Sequence, residues 1–187
     1  IVGCGELSSS IYIPIIKLRV QSMDIVALCD KNISNAKSLA RKYEIVFFTD
    51  IIEEFVSKVD LAIIVVPNSF HFSIAKFFIE HKINVLIEKP ATTNIIDVKN
   101  LIKLTNKNNV VSAVGHVRRF YQNNIFIKDI ISKNIFGNVI ELRFEEGYYV
   151  KGFQETDTFT NKKKSGGGVL IDLGPHMIDL LTWWFGD

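Results

Sequence analysis

The chain predicts an α/β fold: a doubly wound parallel sheet followed by the start of a smaller α+β domain. Three observations carry this. Short β-branched runs alternate with helical stretches as far as Val114, a glycine-rich turn joins the first run to the first helix, and beyond residue 120 a longer, partly alternating stretch replaces the rhythm. At 187 residues the chain holds one good-sized core, or one domain and the beginning of another. We place the boundary near residue 120, with 1–120 as the first domain and 121–187 as the opening of an incomplete second.

Composition narrows the partners. A 48% hydrophobic, 22% charged chain of net charge +2 gives no reason to expect nucleic acid or an anionic membrane. No run approaches eighteen uncharged apolar residues, so a membrane span is not expected. Cys4 and Cys29 have neither metal-ligand spacing nor a disulfide framework, and they read as small core residues at the ends of neighbouring strands. The chain opens at Ile1 inside an apolar run and stops at Asp187 directly after a helical pattern, so it reads as a fragment cut at both ends.

Ile1-Val2 ends a first strand and leads into Gly3-Cys4-Gly5-Glu6-Leu7-Ser8, the dinucleotide fingerprint of a Rossmann domain with serine in the third small position. Gly3 permits the tight turn, Gly5 lets backbone approach a pyrophosphate, and Ser8 keeps the following helix close to the sheet. The helix N-terminus then offers N–H groups to phosphate. Glu6 is unfavourable beside a pyrophosphate unless its side chain turns to solvent.

A second strand, Asp24 to Leu28, ends in Cys29-Asp30. A carboxylate there accepts hydrogen bonds from adenosine ribose hydroxyls and repels a 2′-phosphate, so Asp30 favours NAD, with NADP the alternative dinucleotide. Helix capping is its structural reading. Asn32 to Tyr43 then reads as a helix, Ile45 to Phe48 as a strand, Ile51 to Ser57 as a short helix and Asp60 to Val66 as a buried strand. Pro67-Asn68 ends that strand with turn chemistry, and His71 opens a helix to about His81. Pro67, Asn68 and His71 sit where they could line the nicotinamide side.

Ile83 to Ile87 is the fifth strand, and it delivers Glu88-Lys89-Pro90 to the rim of the sheet. A lysine at the end of so apolar a strand is costly as packing, whereas at the C-terminal mouth of an open parallel sheet it meets a ligand. Lys89 is therefore assigned to an active site. Asn94 caps a helix to about Lys107, and Val110 to Val114 is the sixth strand. Gly115-His116-Val117-Arg118-Arg119-Phe120 follows, where Arg119 could hold a cofactor amide or a substrate oxygen.

Tyr121 to Lys133 reads as a helix and Asn138 to Val150 as a long strand with one wetter face. Lys162-Lys163-Lys164 lies in a polar loop before Gly166-Gly167-Gly168. Val169 to Phe185 then reads as a helix with Asp172, His176 and Asp179 at i, i+4 and i+7 along one face. Pro175 must fall within its first two turns. Asp172 and His176 form a carboxylate–imidazole pair, with Asp179 placed to orient His176 from behind.

GCGELS, VVPNSFH, VLIEKP, GHVRRF, FGNVIELR and GGGVLIDLGPHMIDLLTWWFGD, in this order and spacing, resemble the glucose-fructose oxidoreductase, inositol dehydrogenase and rhizopine catabolism family (Gfo/Idh/MocA) over essentially the whole chain. The resemblance implies a Rossmann domain plus a C-terminal domain on an open, mostly antiparallel sheet. It implies NAD(P)-dependent oxidation or reduction of a sugar, cyclitol or nucleotide sugar, in a cytoplasmic homo-oligomer, dimer or tetramer, that associates through that sheet. By position, Lys89, Asp172 and His176 match the catalytic set, Glu88 a cofactor ribose contact, and Pro67, Asn68 and His71 the nicotinamide loop. A non-catalytic NAD(P)-binding sensor of the same fold is the alternative.

Overall fold

The computed structural model describes residues 1–146 and 167–186. They divide into two compact units, Ile1–Val114 and Gly115–Asp187, so the boundary falls a few residues before the expected one and the GHVRRF turn belongs to the second unit.

The first unit is a parallel sheet. Its strands are β1 (Ala27–Cys29), β2 (Phe47–Thr49), β3 (Leu61–Ile64), β4 (Asn84–Ile87) and β5 (Ser112–Val114). β1 pairs with β2, and β3, β4 and β5 pair in that order, all parallel. Ile1–Gly3 closes the gap between the two ladders. Val2 bridges Cys29 on one side and Ile64 on the other, through Val2 N–H to Ile63 O, Val65 N–H to Val2 O, Gly3 N–H to Cys29 O and Cys29 N–H to Ile1 O, each 2.8 Å. Counting this segment as the first of six gives the order 3-2-1-4-5-6, the doubly wound arrangement expected from the βαβ rhythm.

Strand residues alternate between two cores. Val2, Ala27, Cys29, Ala62, Ile64, Val85 and Ile87 pack on one face with Phe55, with Ala75, Phe78 and Ile79 of α3 (His71–Glu80) and with Leu101 of α4 (Ile95–Asn108). On the other face Ile1, Leu28 and Ile63 meet Ile13 and Ile16 of α1 (Ile13–Arg19) and Ala36, Leu39 and Ala40 of α2 (Ile33–Tyr43). Each large side chain removed from water in these layers contributes about 1.5–3 kcal/mol. Side-chain caps fix two helix starts: Asn32 Oδ1 accepts from Ser34 N–H at 3.2 Å and Asn94 Oδ1 from Asp97 N–H at 2.9 Å. Helix α2 is capped by Asn32, which leaves Asp30 to other work.

The second unit contains a tight turn at Val117–Phe120, α5 (Gln122–Ser132), α6 (Val169–Asp172) and α7 (Gly174–Phe185). The single helix expected from Val169 to Phe185 is interrupted at Leu173. Pro175 has no N–H to continue the ladder, and His176 N–H instead reaches back only as far as Leu173 O, at 3.0 Å. Trp184 Nε1 donates to Asn124 O at 3.1 Å, and Lys128 Nζ lies 2.5 Å from Trp183 O and 3.3 Å from Trp184 O, so a cation meets the negative end of α7. The strand expected from Asn138 to Val150 is not seen over 138–146, which have no ladder partner among the described residues. Residues 147–150 and the lysine run at 162–164 lie outside them.

Candidate functional site

The loop after the first strand is shaped by backbone. Gly3 adopts φ +94°, and a Cβ there would stand 2.0 Å from Val65 O, so only glycine fits against the exit of β3. Above Gly5 the space is open, with nothing within 4 Å of where a Cβ would be. Ser8 is fully buried and its Oγ donates to Gly3 O at 2.6 Å, which draws the helix onto the sheet as its small size anticipates. Glu6 and Leu7 are exposed, so the carboxylate faces solvent.

Asp30 joins this loop to the end of β1. Its Oδ2 accepts from Cys4 N–H at 2.7 Å and its Oδ1 from Asn32 N–H at 2.8 Å. Each oxygen retains a lone pair, which leaves the carboxylate competent to receive a ribose hydroxyl. Cys4 and Cys29 are buried beneath, with Cys4 Sγ 3.6 Å from Cys29 O. Burial pushes the Cys4 thiol up to about 12 and the Cys29 thiol up to about 11, so both are unreactive packing groups.

Lys89 sits just beyond β4, half-buried, as its place in the sequence requires. Glu88 and His71 hold the main chain on either side of it. Glu88 Oε2 accepts from Lys89 N–H at 3.0 Å, while its Oε1 accepts from Tyr12 Oη at 2.5 Å. His71 is fully buried, with Nδ1 2.7 Å from Pro90 O and Nε2 2.8 Å from Val66 O, so its ring ties together the main chain at the ends of β3 and β4. The signal lay in the spacing: His71, Ala75, Phe78 and Ile79 form a buried helical stripe. Pro67 and Asn68, just beyond β3, remain half-buried.

In the second unit His176 is buried and Asp172 half-buried, on either side of the break at Leu173. Asp179 does not orient His176. Its carboxylate, 9% exposed, takes both Nε (2.8 Å) and Nη2 (2.6 Å) of Arg119, with His116 Nδ1 3.8 Å away. Arg119 in turn lies over the Trp183 ring, 5.9 Å from its centroid, and the Asp179 hydrogen bond raises its already high pKa. One edge of its fork is thus committed to a carboxylate of its own unit, because two parallel charge-assisted bonds satisfy a guanidinium edge. Arg118 makes a second such clamp on Glu146, with both bonds at 2.6 Å, and holds that carboxyl below the usual range. Neither carboxylate partner has a local sequence signal. Among the described residues no cluster of His, Cys, Asp or Glu is placed to hold a metal ion, and no helix is long and apolar enough to cross a membrane.

Comparison with known proteins agrees with this fold. Residues 1–116 match the model for an oxidoreductase family with an NAD-binding Rossmann fold, and residues 125–187 match the Gfo/Idh/MocA C-terminal domain. The chain is 27% identical over 193 residues to oxidoreductase P35 of Formosa agariphila, covering 100% of this chain and 60% of that protein. It is 26% identical to D-glucoside 3-dehydrogenase of Escherichia coli K12, covering 100% of this chain and 53% of that protein. It thus spans little more than half the length of these relatives. Among solved structures, myo-inositol 2-dehydrogenase of Lactobacillus plantarum superposes with a TM-score of 0.85 at 22% identity, over 99% of this chain and 55% of that one. GenD2 from gentamicin A biosynthesis, solved with NAD, superposes at 0.82 and 21% identity, over 99% of this chain and 52% of that one. With the glycine turn, the strand order and both family models in agreement, the chain belongs to the Gfo/Idh/MocA oxidoreductase family, its first unit being the NAD-binding Rossmann domain.

Proposed function

We propose that the protein is an NAD-dependent dehydrogenase that oxidises a secondary alcohol of a sugar, cyclitol or nucleotide sugar, or reduces the corresponding ketone. The observation that carries this reading is the lysine at the mouth of β4, whose main chain is fixed by Glu88 and His71. Such anchoring suits a group that must meet a reacting atom. The relatives' names, D-glucoside 3-dehydrogenase and myo-inositol 2-dehydrogenase, support the substrate class.

The loop of Gly3, Gly5, Glu6 and Leu7 and the carboxylate of Asp30 would hold NAD, which supplies the hydride acceptor when bound. An ammonium at Lys89 hydrogen-bonds the reacting oxygen and stabilises charge that develops on it. His176 takes the hydroxyl proton, a role suited to imidazole near neutral pH. Asp172 binds a neighbouring hydroxyl and sets the orientation of His176. The protein assembles as a homo-oligomer through its C-terminal domain, which light scattering of the full-length protein checks.

The test is NADH absorbance with the full-length protein against inositols, free sugars and UDP-sugars, alongside NAD binding by calorimetry. Turnover with a member of the panel is expected. His176→Ala should lower turnover by roughly 10²–10⁴-fold while NAD affinity holds. Equal losses in both would remove His176 from the chemistry, and tight NAD binding with no turnover across the panel would favour a sensor.

A further inference from the structure

One contact in the first unit has no part in the chemistry assigned so far. Tyr12 closes a five-residue π-helical turn, Ser8–Tyr12, directly after the glycine loop. Its phenol reaches 76 residues along the chain to Glu88 Oε1, while the other oxygen of the same carboxylate holds Lys89 N–H. Tyr12, Glu88 and Lys89 thus form one continuous chain of hydrogen bonds from the loop that would hold the dinucleotide to the turn that carries the lysine. π-Helical turns widen a helix by one residue and recur at functional sites, and here the widened turn ends on the residue that makes the contact.

We propose that Tyr12 is a positioning residue for Lys89: it holds the Glu88 carboxylate in the one orientation that also binds Lys89 N–H, and so ties the lysine turn to the dinucleotide loop. The proposal rests on the dehydrogenase reading for its kinetic consequence, though not for its structural one. A glutamate at a strand mouth has three rotatable bonds, and a single bond to the adjacent amide does not fix them. The second bond, from a phenol anchored in a helix, does. Burial and the neighbouring carboxylate both push the Tyr12 phenol far above its ordinary range, so it remains a donor at any pH at which the protein works. His71 secures the other side of the turn through Pro90 O, which leaves the Glu88 side as the one that Tyr12 governs.

A control is built into the same segment. Tyr43 Oη donates to Ser9 O at 2.8 Å, a comparable phenol bond to the same turn that does not involve Glu88. The experiment compares Tyr12→Phe with Tyr43→Phe in the full-length protein by hydrogen exchange at the Lys89 amide, followed by mass spectrometry of the peptide spanning 88–91, and by steady-state kinetics. Tyr12→Phe should speed exchange at Lys89 about tenfold and lower kcat about tenfold, with KM for NAD held within about threefold, while Tyr43→Phe changes neither. Unchanged exchange in Tyr12→Phe, or equal acceleration in both variants, overturns the proposal. A rise in KM for NAD with kcat preserved also overturns it, since Tyr12 would then serve the cofactor directly. If the wild-type protein turns over no polyol, the dehydrogenase reading fails, and the exchange comparison alone still decides the role of Tyr12.

Discussion

The two units hold their candidate functional residues by different means. In the first, Lys89, Asp30 and the glycine loop are fixed by hydrogen bonds between side chains and main chain, set on a sheet buried on both faces. In the second, the helix that carries His176 is tied down largely by charge: Arg119 on Asp179, and Lys128 on the terminal carbonyls, with Arg118 on Glu146 as a further clamp. Its buried apolar residues reduce to Leu180 and Trp184 among those described. Hydrogen bonds to main chain are indifferent to salt, whereas half-exposed ion pairs are screened by it. The first unit should therefore fail by steric insult, and the second by acid and salt.

The largest expected effect belongs to the first unit. Gly3→Ala forces a Cβ against Val65 O at 2.0 Å and a positive φ on alanine, so it should cost about 3 kcal/mol or more and abolish NAD binding, read by calorimetry and circular dichroism. A stable variant that still binds NAD would show that the loop can move away from β3.

Next comes Arg119→Ala. It leaves the nearly buried Asp179 without its partner, and because the Arg119 side chain is 40% exposed, the loss should be roughly 1–2 kcal/mol. Both tryptophans of these 187 residues, Trp183 and Trp184, lie in α7, so their fluorescence reports the second unit. Their transition should shift to lower temperature in about 1 M salt, where the screening length falls to ~3 Å, and Arg119→Ala should lose part of that sensitivity. Equal salt response in variant and wild type would mean that charge does not hold α7.

Acid sharpens the same contrast. The Arg118 hydrogen bond depresses the Glu146 pKa, so the pair's stabilisation is complete above the unfolded carboxyl pKa and is lost as pH falls through the lower folded value. Tryptophan emission should change within that acid window and less so in Glu146→Gln, which no longer titrates.

The smallest effect is chemical. Cys4 and Cys29, pushed up to about 12 and about 11, should resist a thiol reagent in the native state and react only on unfolding. Rapid labelling of either in folded protein would mean that the loop over β1 opens.

Most of the first unit was legible because its rule is local. β-Branched runs, a glycine turn, Asn32 and Asn94 at helix starts and the place of Lys89 after an apolar strand can each be read within a few residues. Contacts made across the fold left no such mark. Nothing near Tyr12 announces Glu88, and nothing near Arg119 announces Asp179, because charge and hydrogen-bond partners at long separation are set by packing and not by spacing. The burial of His71 was legible for another reason. A histidine beside turn residues suggests chemistry, yet its helical stripe with Ala75, Phe78 and Ile79 had already placed it inside. Pro175 gave a clear warning about α7, and the break falls at Leu173, two residues before it, with Asp172 left on the short leading helix.

The placement of Val2 has a consequence for synthesis on the ribosome. The central segment of the sheet is made before both of its neighbours, Cys29 and Ile64, and its second ladder closes only once Ile64 has cleared the exit tunnel. Until then the segment Ile1 to Cys4 keeps one edge open, the kind of surface that pairs with the wrong chain. The sheet is thus sealed from the middle by late-arriving partners. Nascent-chain folding should stay silent until β3 is out, and trigger-type chaperones would find their window before it.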